Sequence, residues 1–332
     1  MTRFIVRRIG SALLVVFLLS TIVFGLQQTS RADPVRAKLG FGATPERLAA
    51  ERHRLGLDGS LVTRYGRFLG RLVRGDFGES VRTNRPVYDD LRAFLPASLE
   101  LIAAIMFVAV VLGIGIGIVT ARPGARAGVV RVVMLGLSSI PAFLVTILGV
   151  LVLYRSWGIL PASGRTSYSD APTGPTGFLV VDGLIAGRPS VTFDALHHLV
   201  LPAIAGSLVP AVAIGRVLRS SLITTMASDH VRTARALGQS ERQVMLRHAL
   251  RNSAGPALSL IGLLVGSLFA GTLIVEQMLG WPGLGAYLVR SIVGSDFPAI
   301  AGVTIVVGAI YIAVNAVVDV VQSIVDPRVA LR

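Results

Sequence analysis

Cysteine is absent from the 332 residues, which removes disulfides, thiolate metal sites and cysteine nucleophiles together. Lysine occurs once, as Lys38 between Ala37 and Leu39, so the Gly-Lys-Ser/Thr tip of a nucleotide-binding P-loop is missing too. No ATP-hydrolysing site is therefore expected; no bound cofactor is expected either. Charge is scarce: 15% of residues are charged, against 53% hydrophobic, and the mean hydropathy is +0.71. A soluble domain of this length needs far more polar side chains to cover its surface. The charges fall between long apolar runs, the pattern of a polytopic, all-α membrane protein.

What charge there is leans positive, 32 Lys+Arg against 18 Asp+Glu, a formal net charge of +14 that is almost entirely arginine. A nucleic-acid partner would require a soluble basic face with groove-reading or aromatic elements. Here the arginines flank apolar segments, where they orient helices against the lipid bilayer, and no nucleic-acid binding is expected.

Six segments are long enough to cross about 30 Å of hydrocarbon, near 7–28, 97–120, 131–154, 196–218, 257–279 and 299–323. The first follows Arg3, Arg7 and Arg8, exceeds a usual signal core and lacks a nearby small-x-small cleavage site, so it reads as an uncleaved transmembrane helix, 1–28. Pro202 and Pro210 interrupt the fourth and Pro141 the third; membrane helices tolerate such prolines when neighbours satisfy the freed carbonyls. Arginine collects in the head, in the 122–131 turn, in the link after the fourth segment and at Arg328 and Arg332. With six spans these regions share one side, so that side is expected to be the cytoplasmic one, with both termini inside.

The opposite side receives two larger pieces. Residues 29–96 read as a small external domain of short helices, one starting at Pro45 with Thr44 as its N-cap. Residues 155–195, rich in Gly, Pro, Ser and Thr, read as an irregular loop with a strand at Phe178–Val181. The transmembrane core then occupies 97–323 and a cytoplasmic tail 324–332. Gly113 and Gly117, and likewise Gly262 and Gly266, stand four apart, a spacing that serves either internal helix packing or a subunit contact.

The most informative stretch is the link at 219–256. Asp229 reads as the N-cap of a short helix over His230–Leu237 that Gly238 ends as its C′ residue, with Val231, Ala234 and Leu237 along one stripe. Ser240 opens a second helix with Gln243 completing a capping box. A capped, arginine-ringed elbow below the membrane suits either a soluble partner or an interfacial position on anionic lipid.

The run Arg232-Thr233-Ala234-Arg235-Ala236-Leu237-Gly238, followed by His248-Ala249-Leu250-Arg251-Asn252, resembles the cytoplasmic signature loop of binding-protein-dependent permeases of the ATP-binding cassette superfamily. That loop reads Glu-Ala-Ala, three variable residues, then Gly; Arg232 and Thr233 depart from it while Ala234 and Gly238 match, as is common in the dipeptide/oligopeptide/nickel branch. Further resemblances to that branch, and within it to the first permease subunit, run along the chain: Asp33-Pro34, Leu55-Gly56-Leu57-Asp58, Gly75-Asp76-Phe77-Gly78-Glu79-Ser80, Leu160-Pro161-Ala162-Ser163-Gly164, His198-Leu199-Val200-Leu201-Pro202, Glu276 with Gly280-Trp281-Pro282-Gly283-Leu284-Gly285, and Asp326-Pro327-Arg328.

The resemblance implies a type I importer permease fold with six transmembrane helices, a cytoplasmic coupling helix and an external domain after the first helix. It implies a non-catalytic subunit that forms the pathway for di- or oligopeptides with a second homologous permease, two P-loop ATPase subunits or domains and an extracytoplasmic substrate-binding protein. Asp229, Arg232, Thr233, Ala234, Arg235, Gly238, Ser240 and Arg247 would form the ATPase-coupling surface, with Ala234 and Gly238 at the close contact. Nickel or another small solute is the alternative cargo.

Other residues invite other chemistry. Asn315 and Asp319, four apart in the last segment, mark either a pathway or a structural pair with an arginine, and Glu276 could pair with Arg290. The five histidines lie at segment ends or in connections, where an intramembrane hydrolase could not use them, and adjacent His197 and His198 diverge by about 100° on a helix, so no metal site is expected. An ion-driven secondary transporter would show inverted repeats around midplane acids, and no second half mirrors the first.

Overall fold

The computed structural model describes residues 2–29, 34–39, 42–54 and 58–325. Its elements are helical: α1 Thr2–Thr29, α2 Pro34–Leu39, α3 Pro45–Arg54, α4 Leu61–Val73, α5 Val87–Ala121, α6 Ala125–Ser138, α7 Ala142–Gly149, α8 Leu179–Ile185, α9 Pro189–Met226, α10 Asp229–Ala236, α11 Glu241–Met278, α12 Leu284–Val293 and α13 Phe297–Val325. Among the described residues there is no strand, only an isolated bridge between Glu79 and Pro86. Wider π-type turns continue α7 through Ser156 and link the start of α11 to its apolar part. The chain divides into two compact units, one drawn from residues 1–98 and 282–313, the other from 99–281 and 314–332.

Four helices among the described residues are long and apolar enough to cross a membrane: α5, α9, α11 and the Phe297–Val321 part of α13. The pair Ala125–Ser138 and Ala142–Ser156 makes a fifth if its two arms count as one span. Helix α1 carries a shorter apolar stretch, Leu13–Gln28. The helices overrun the apolar segments read from sequence, by 10 residues at the start of α5 and by 16 at the start of α11, because a helix continues into polar surroundings that hydropathy does not register.

Two sequence expectations need correction. Pro141 is not accommodated inside a straight helix: α6 and α7 meet there at 94°, with Pro141 in extended conformation before α7. Ser138 and Ser139 each turn their hydroxyl back to the Leu135 carbonyl, at 3.0 and 2.9 Å, and Pro141 brings no N–H to carry the ladder on. Pro202 and Pro210, by contrast, are buried within an unbroken α9. The strand expected at Phe178–Val181 is instead the start of helix α8. The Val180 N–H donates to the Glu100 carboxylate at 2.9 Å, so an anion at the helix N-terminus overrides the β-propensity of the Leu-Val-Val run.

In the first unit, Thr44 and Pro45 begin α3 as expected, the Arg47 N–H reaching Thr44 Oγ1 at 3.4 Å. Val87, Leu91, Leu284, Tyr287, Ala299 and Val303 form the core, with Phe94 stacked on Tyr287 at 5.0 Å. Two buried carboxylates organise the polar groups around it. Asp90 accepts from Thr83 Oγ1 at 2.6 Å and from the Tyr287 hydroxyl at 3.0 Å. Burial, then the Asp90 charge, pushes the Tyr287 hydroxyl above the usual phenol range. Asp296 caps α13 through the Ala299 N–H and accepts from Ser80 Oγ at 2.5 Å. The Gly75–Ser80 motif is thus a turn: Gly75 and Gly78 have positive φ, the Asp76 side chain accepts the Gly78 N–H, and Ser80 is anchored on Asp296.

In the second unit α9 is the most enclosed helix, with 67% of its apolar window buried against 22% for that of α11. Gly113 and Gly117 let α5 lie on it: a Cβ at Gly113 would come within 2.8 Å of Ile214 and 3.0 Å of the Ala211 carbonyl, and one at Gly117 within 2.9 Å of Leu218. Gly262 meets Val318 in the same way, so these glycines serve packing within the chain. Gly113→Val is expected to cost about 1–3 kcal/mol by overpacking against backbone as well as side chain. Thermal unfolding of the purified chain in detergent should fall by several degrees, and an unchanged midpoint would show that the two helices are not in this contact.

A short buried network fixes the 157–188 connection. Arg165 donates to Glu100 at 2.5 Å and to the Gly177 carbonyl at 3.1 Å, and its guanidinium lies 5.9 Å from the Trp281 ring centre. The Leu160–Gly164 motif meets the segment after α11 where the Gly164 N–H donates to Leu279, and Gly280 turns the chain with φ +58 so that Trp281 is buried.

Candidate functional site

The elbow between α9 and α11 is short and ordered. Ser228, one residue before the expected Asp229, is the N-terminal flanking residue of α10; Asp229 sits in the first turn, where its charge favours the helix dipole. At the other end the Gly238 N–H donates to Arg235 O at 2.9 Å and the Gln239 N–H to Ala234 O at 3.2 Å, the paired bonds of a Schellman motif. Gly238 has φ +79, and nothing lies within 4 Å of where its Cβ would be. Its requirement for glycine is therefore conformational, not steric. Ser240 and Gln243 form the expected capping box.

One face of α10 is fastened to the return helix. Val231, Ala234 and Val244 are buried together with Met226 packed against them, and Met226 also packs on Leu218, Leu222, Met245 and Ala249. The elbow is thus continuous with the core between α9 and α11. Polar ties add to it: His248 Nε2 to Gln239 Oε1 at 2.6 Å, Asn252 Nδ2 to His230 Nε2 at 3.3 Å, and Ser253 Oγ to Thr225 Oγ1 at 2.9 Å. Sequence spacing gave no signal for these pairs because each joins the return helix to a residue of α9, of α10 or of the turn after it.

The other face is open. Asp229, Arg232, Thr233, Arg235, Gly238, Ser240 and Arg247 are exposed, and Leu237, expected on one stripe with Val231 and Ala234, is 75% exposed. Leu237 follows the last helical residue and, at about 100° per residue, stands about 120° round the axis from Val231, which turns it outward. Ala234 is the exception among the predicted coupling residues: at 4% exposure it packs inside the chain and offers no outer contact. Arg235 forms a two-pronged pair with Glu241, at 2.7 and 3.1 Å, which draws its guanidinium pKa further upward. Arg232 approaches Asp229 at 3.5 Å, an exposed contact of little energetic weight.

The remaining candidate residues lie elsewhere. Asn315 and Asp319 share a face of α13, both half-buried, and Glu276 is fully buried on α11. His197 and His198 bond the carbonyls of Ile159 and Asp194, and among the described residues no group of three His, Asp or Glu could hold a metal. Asp33-Pro34, Leu55–Leu57 and Asp326-Pro327-Arg328 include residues outside those described, as does the tail after Val325.

These features define a multi-pass helical membrane protein with a rigid, charged elbow between two of its apolar helices. Residues 95–331 match the family described as binding-protein-dependent transport system inner membrane component, and residues 1–102 match its N-terminal companion. The chain is 38% identical over 327 residues to the probable D,D-dipeptide transport system permease protein DdpB of Escherichia coli, covering 97% of this chain and 96% of that one. It is 34% identical over 333 residues to the di/tripeptide transport system permease protein DppB of Pseudomonas aeruginosa, and 32% identical over 332 residues to the dipeptide permease DppB of Alkalihalophilus pseudofirmus, covering 99% of each chain in both cases. The chain belongs to the family of binding-protein-dependent transport system inner membrane components. It is a permease subunit, not an enzyme.

Proposed function

We propose that this permease forms, with a second homologous permease, the pathway for di- or oligopeptides handed over by an extracytoplasmic binding protein, and that α10 is the helix through which two ATPase subunits drive it. The chain then crosses the inner membrane six times, α1 supplying one span and the bent α6–α7 pair another, with both termini and the elbow cytoplasmic. Residues 29–96 and 155–195 face outward. Peptide is favoured over nickel or another small solute because the relatives that match over nearly their whole length are named for dipeptides. The observation that carries the reading is the elbow itself: one face locked to the α9–α11 core, the other presenting Arg232, Thr233 and Arg235. A push on that exposed face has a packed path to two apolar helices, as force transmission requires.

The absence of native cysteine makes a direct test clean. In intact cells a membrane-impermeant maleimide is expected to label Asp170→Cys and to miss Thr233→Cys, which should react only after the membrane is opened. Thr233→Cys should also cross-link to a co-expressed ATPase subunit. Labelling of Thr233→Cys from outside would overturn the topology, and absence of any ATPase cross-link would overturn the coupling role.

A further inference from the structure

Helix α4 divides into two arcs. At about 100° per residue, Leu61, Val62, Tyr65, Phe68, Leu72 and Val73 fill one arc, and Arg64, Arg67 and Arg71 fill the other, with Arg74 following at the C-terminal end. Half of the apolar arc is used within the chain. The Tyr65 and Phe68 rings meet Phe24 of α1 at 5.1 and 5.7 Å, and the Tyr65 hydroxyl shares a 2.6 Å hydrogen bond with Thr21 Oγ1. The other half is uncovered, Val62 at 81% exposure and Val73 at 88%. Phe24 stands two residues, or about 3 Å of helix rise, before the apolar run of α1 ends at Leu26. Amphipathic helices rest at this depth, with the apolar face about 5–10 Å inside the headgroup boundary.

Beside the arginines runs an open groove of about 560 Å³, lined by His53, Arg54, Arg67, Arg71 and Arg74 and by Gly66 and Gly70. Arg54 is already neutralised by Glu51 and Glu79, at 2.8 and 2.9 Å, and Arg67 donates to the Asp58 carbonyl. No carboxylate pairs with Arg71 or Arg74 among the described residues. The groove is therefore net positive and large enough for a phosphodiester, and Val62 and Val73 stand exposed on the apolar arc of the same helix.

We propose that α4 and this groove bind the head group of an anionic phospholipid, its phosphate between Arg71 and Arg74 and its acyl chains beside Val62 and Val73. Apolar exposure beside the arginines favours lipid over an acidic protein surface, which would leave the two valines in water. The inference rests on α1 crossing the membrane, as proposed above.

The test is native mass spectrometry of the purified full-length chain in detergent, offered phosphatidylglycerol, phosphatidylcholine or inorganic phosphate. Phosphatidylglycerol should be retained about tenfold over phosphatidylcholine and should resist displacement by phosphate. The exposed pair Arg71→Gln/Arg74→Gln should lose that preference, and Arg71→Lys/Arg74→Lys should keep it. Equal retention of the two lipids by the native chain, displacement by phosphate alone, or an undiminished preference in the glutamine variant would each overturn the assignment. So would an arginine-dependent capture of the substrate-binding protein without lipid preference. Association with the ATPase subunits, read in the same preparations, is expected to be unchanged, so failure here is separable from failure of the proposed function.

Discussion

Val231→Asp is expected to abolish ATP-driven peptide uptake while leaving the apolar helices in the membrane. Val231 is fully buried where α10 packs on Val244, and Val231 itself, like Ala234 and Val244, brings an apolar side chain to that contact. An aspartate forced into that site costs about 3 kcal/mol or more if it stays ionised and unpaired, a shift of roughly 100-fold in the balance between the packed and detached elbow. A detached α10 can still meet an ATPase, but it no longer moves α9 and α11 with it. The expected signature is therefore ATPase activity that persists without transport, measured with labelled dipeptide in a strain lacking the native permease. Gly238→Val should act in the same direction and less severely, because forcing a β-branched residue to φ +79 costs about 1–2 kcal/mol. Normal uptake in the Val231→Asp strain would remove the elbow from the transport mechanism.

The second large effect is expected at Glu100. This carboxylate is 7% exposed and does two things: it pairs with Arg165, itself 16% exposed, and it accepts the Val180 N–H at the start of α8. Glu100→Ala strands a largely buried guanidinium and leaves a backbone donor without its acceptor, a loss of about 3–5 kcal/mol. Thermal unfolding should drop by roughly 10 °C, and protease should cut the 165–178 segment that the pair holds in place. Removing both charges, as in Glu100→Leu/Arg165→Met, should recover much of the loss, because the penalty arises from the unpaired charge rather than from the absent bond. A single variant as stable as the native chain would show that Arg165 finds water or another acceptor at no cost.

Much of the elbow was legible from local chemistry. A helix stop needs glycine at a left-handed position, and Gly238 stands there; a helix start needs a short hydroxyl residue with a glutamine three places on, and Ser240 and Gln243 supply it. Both signals act within a few residues of chain, so sequence carries them in full. The direction in which Ala234 and Leu237 face was not legible. Three-residue spacing put them on one stripe with Val231, but each step of three falls about 60° short of a full turn, so Ala234 still meets Val244 while Leu237 has drifted into solvent. Pro141 illustrates the same limit. Like Pro202 it falls inside an apolar segment; the serine pair before it is visible in the sequence, but the burial of Pro202 and Pro210 within an unbroken α9 is not.

The sequence by itself determined that this is a helical membrane protein without a P-loop or a cysteine nucleophile, because hydropathy, arginine placement, the lone Lys38 and the missing cysteine are properties of composition and order alone; the permease reading came from its motifs, Arg232–Gly238 first among them. Only the tertiary structure decided which charges are paired, which glycines admit a neighbouring helix and which face of the elbow is free. Glu100 meets Arg165 across 65 positions and Gly113 meets Ile214 across about a hundred. No periodic or local pattern records such meetings; they follow from how packed helices exclude water and one another.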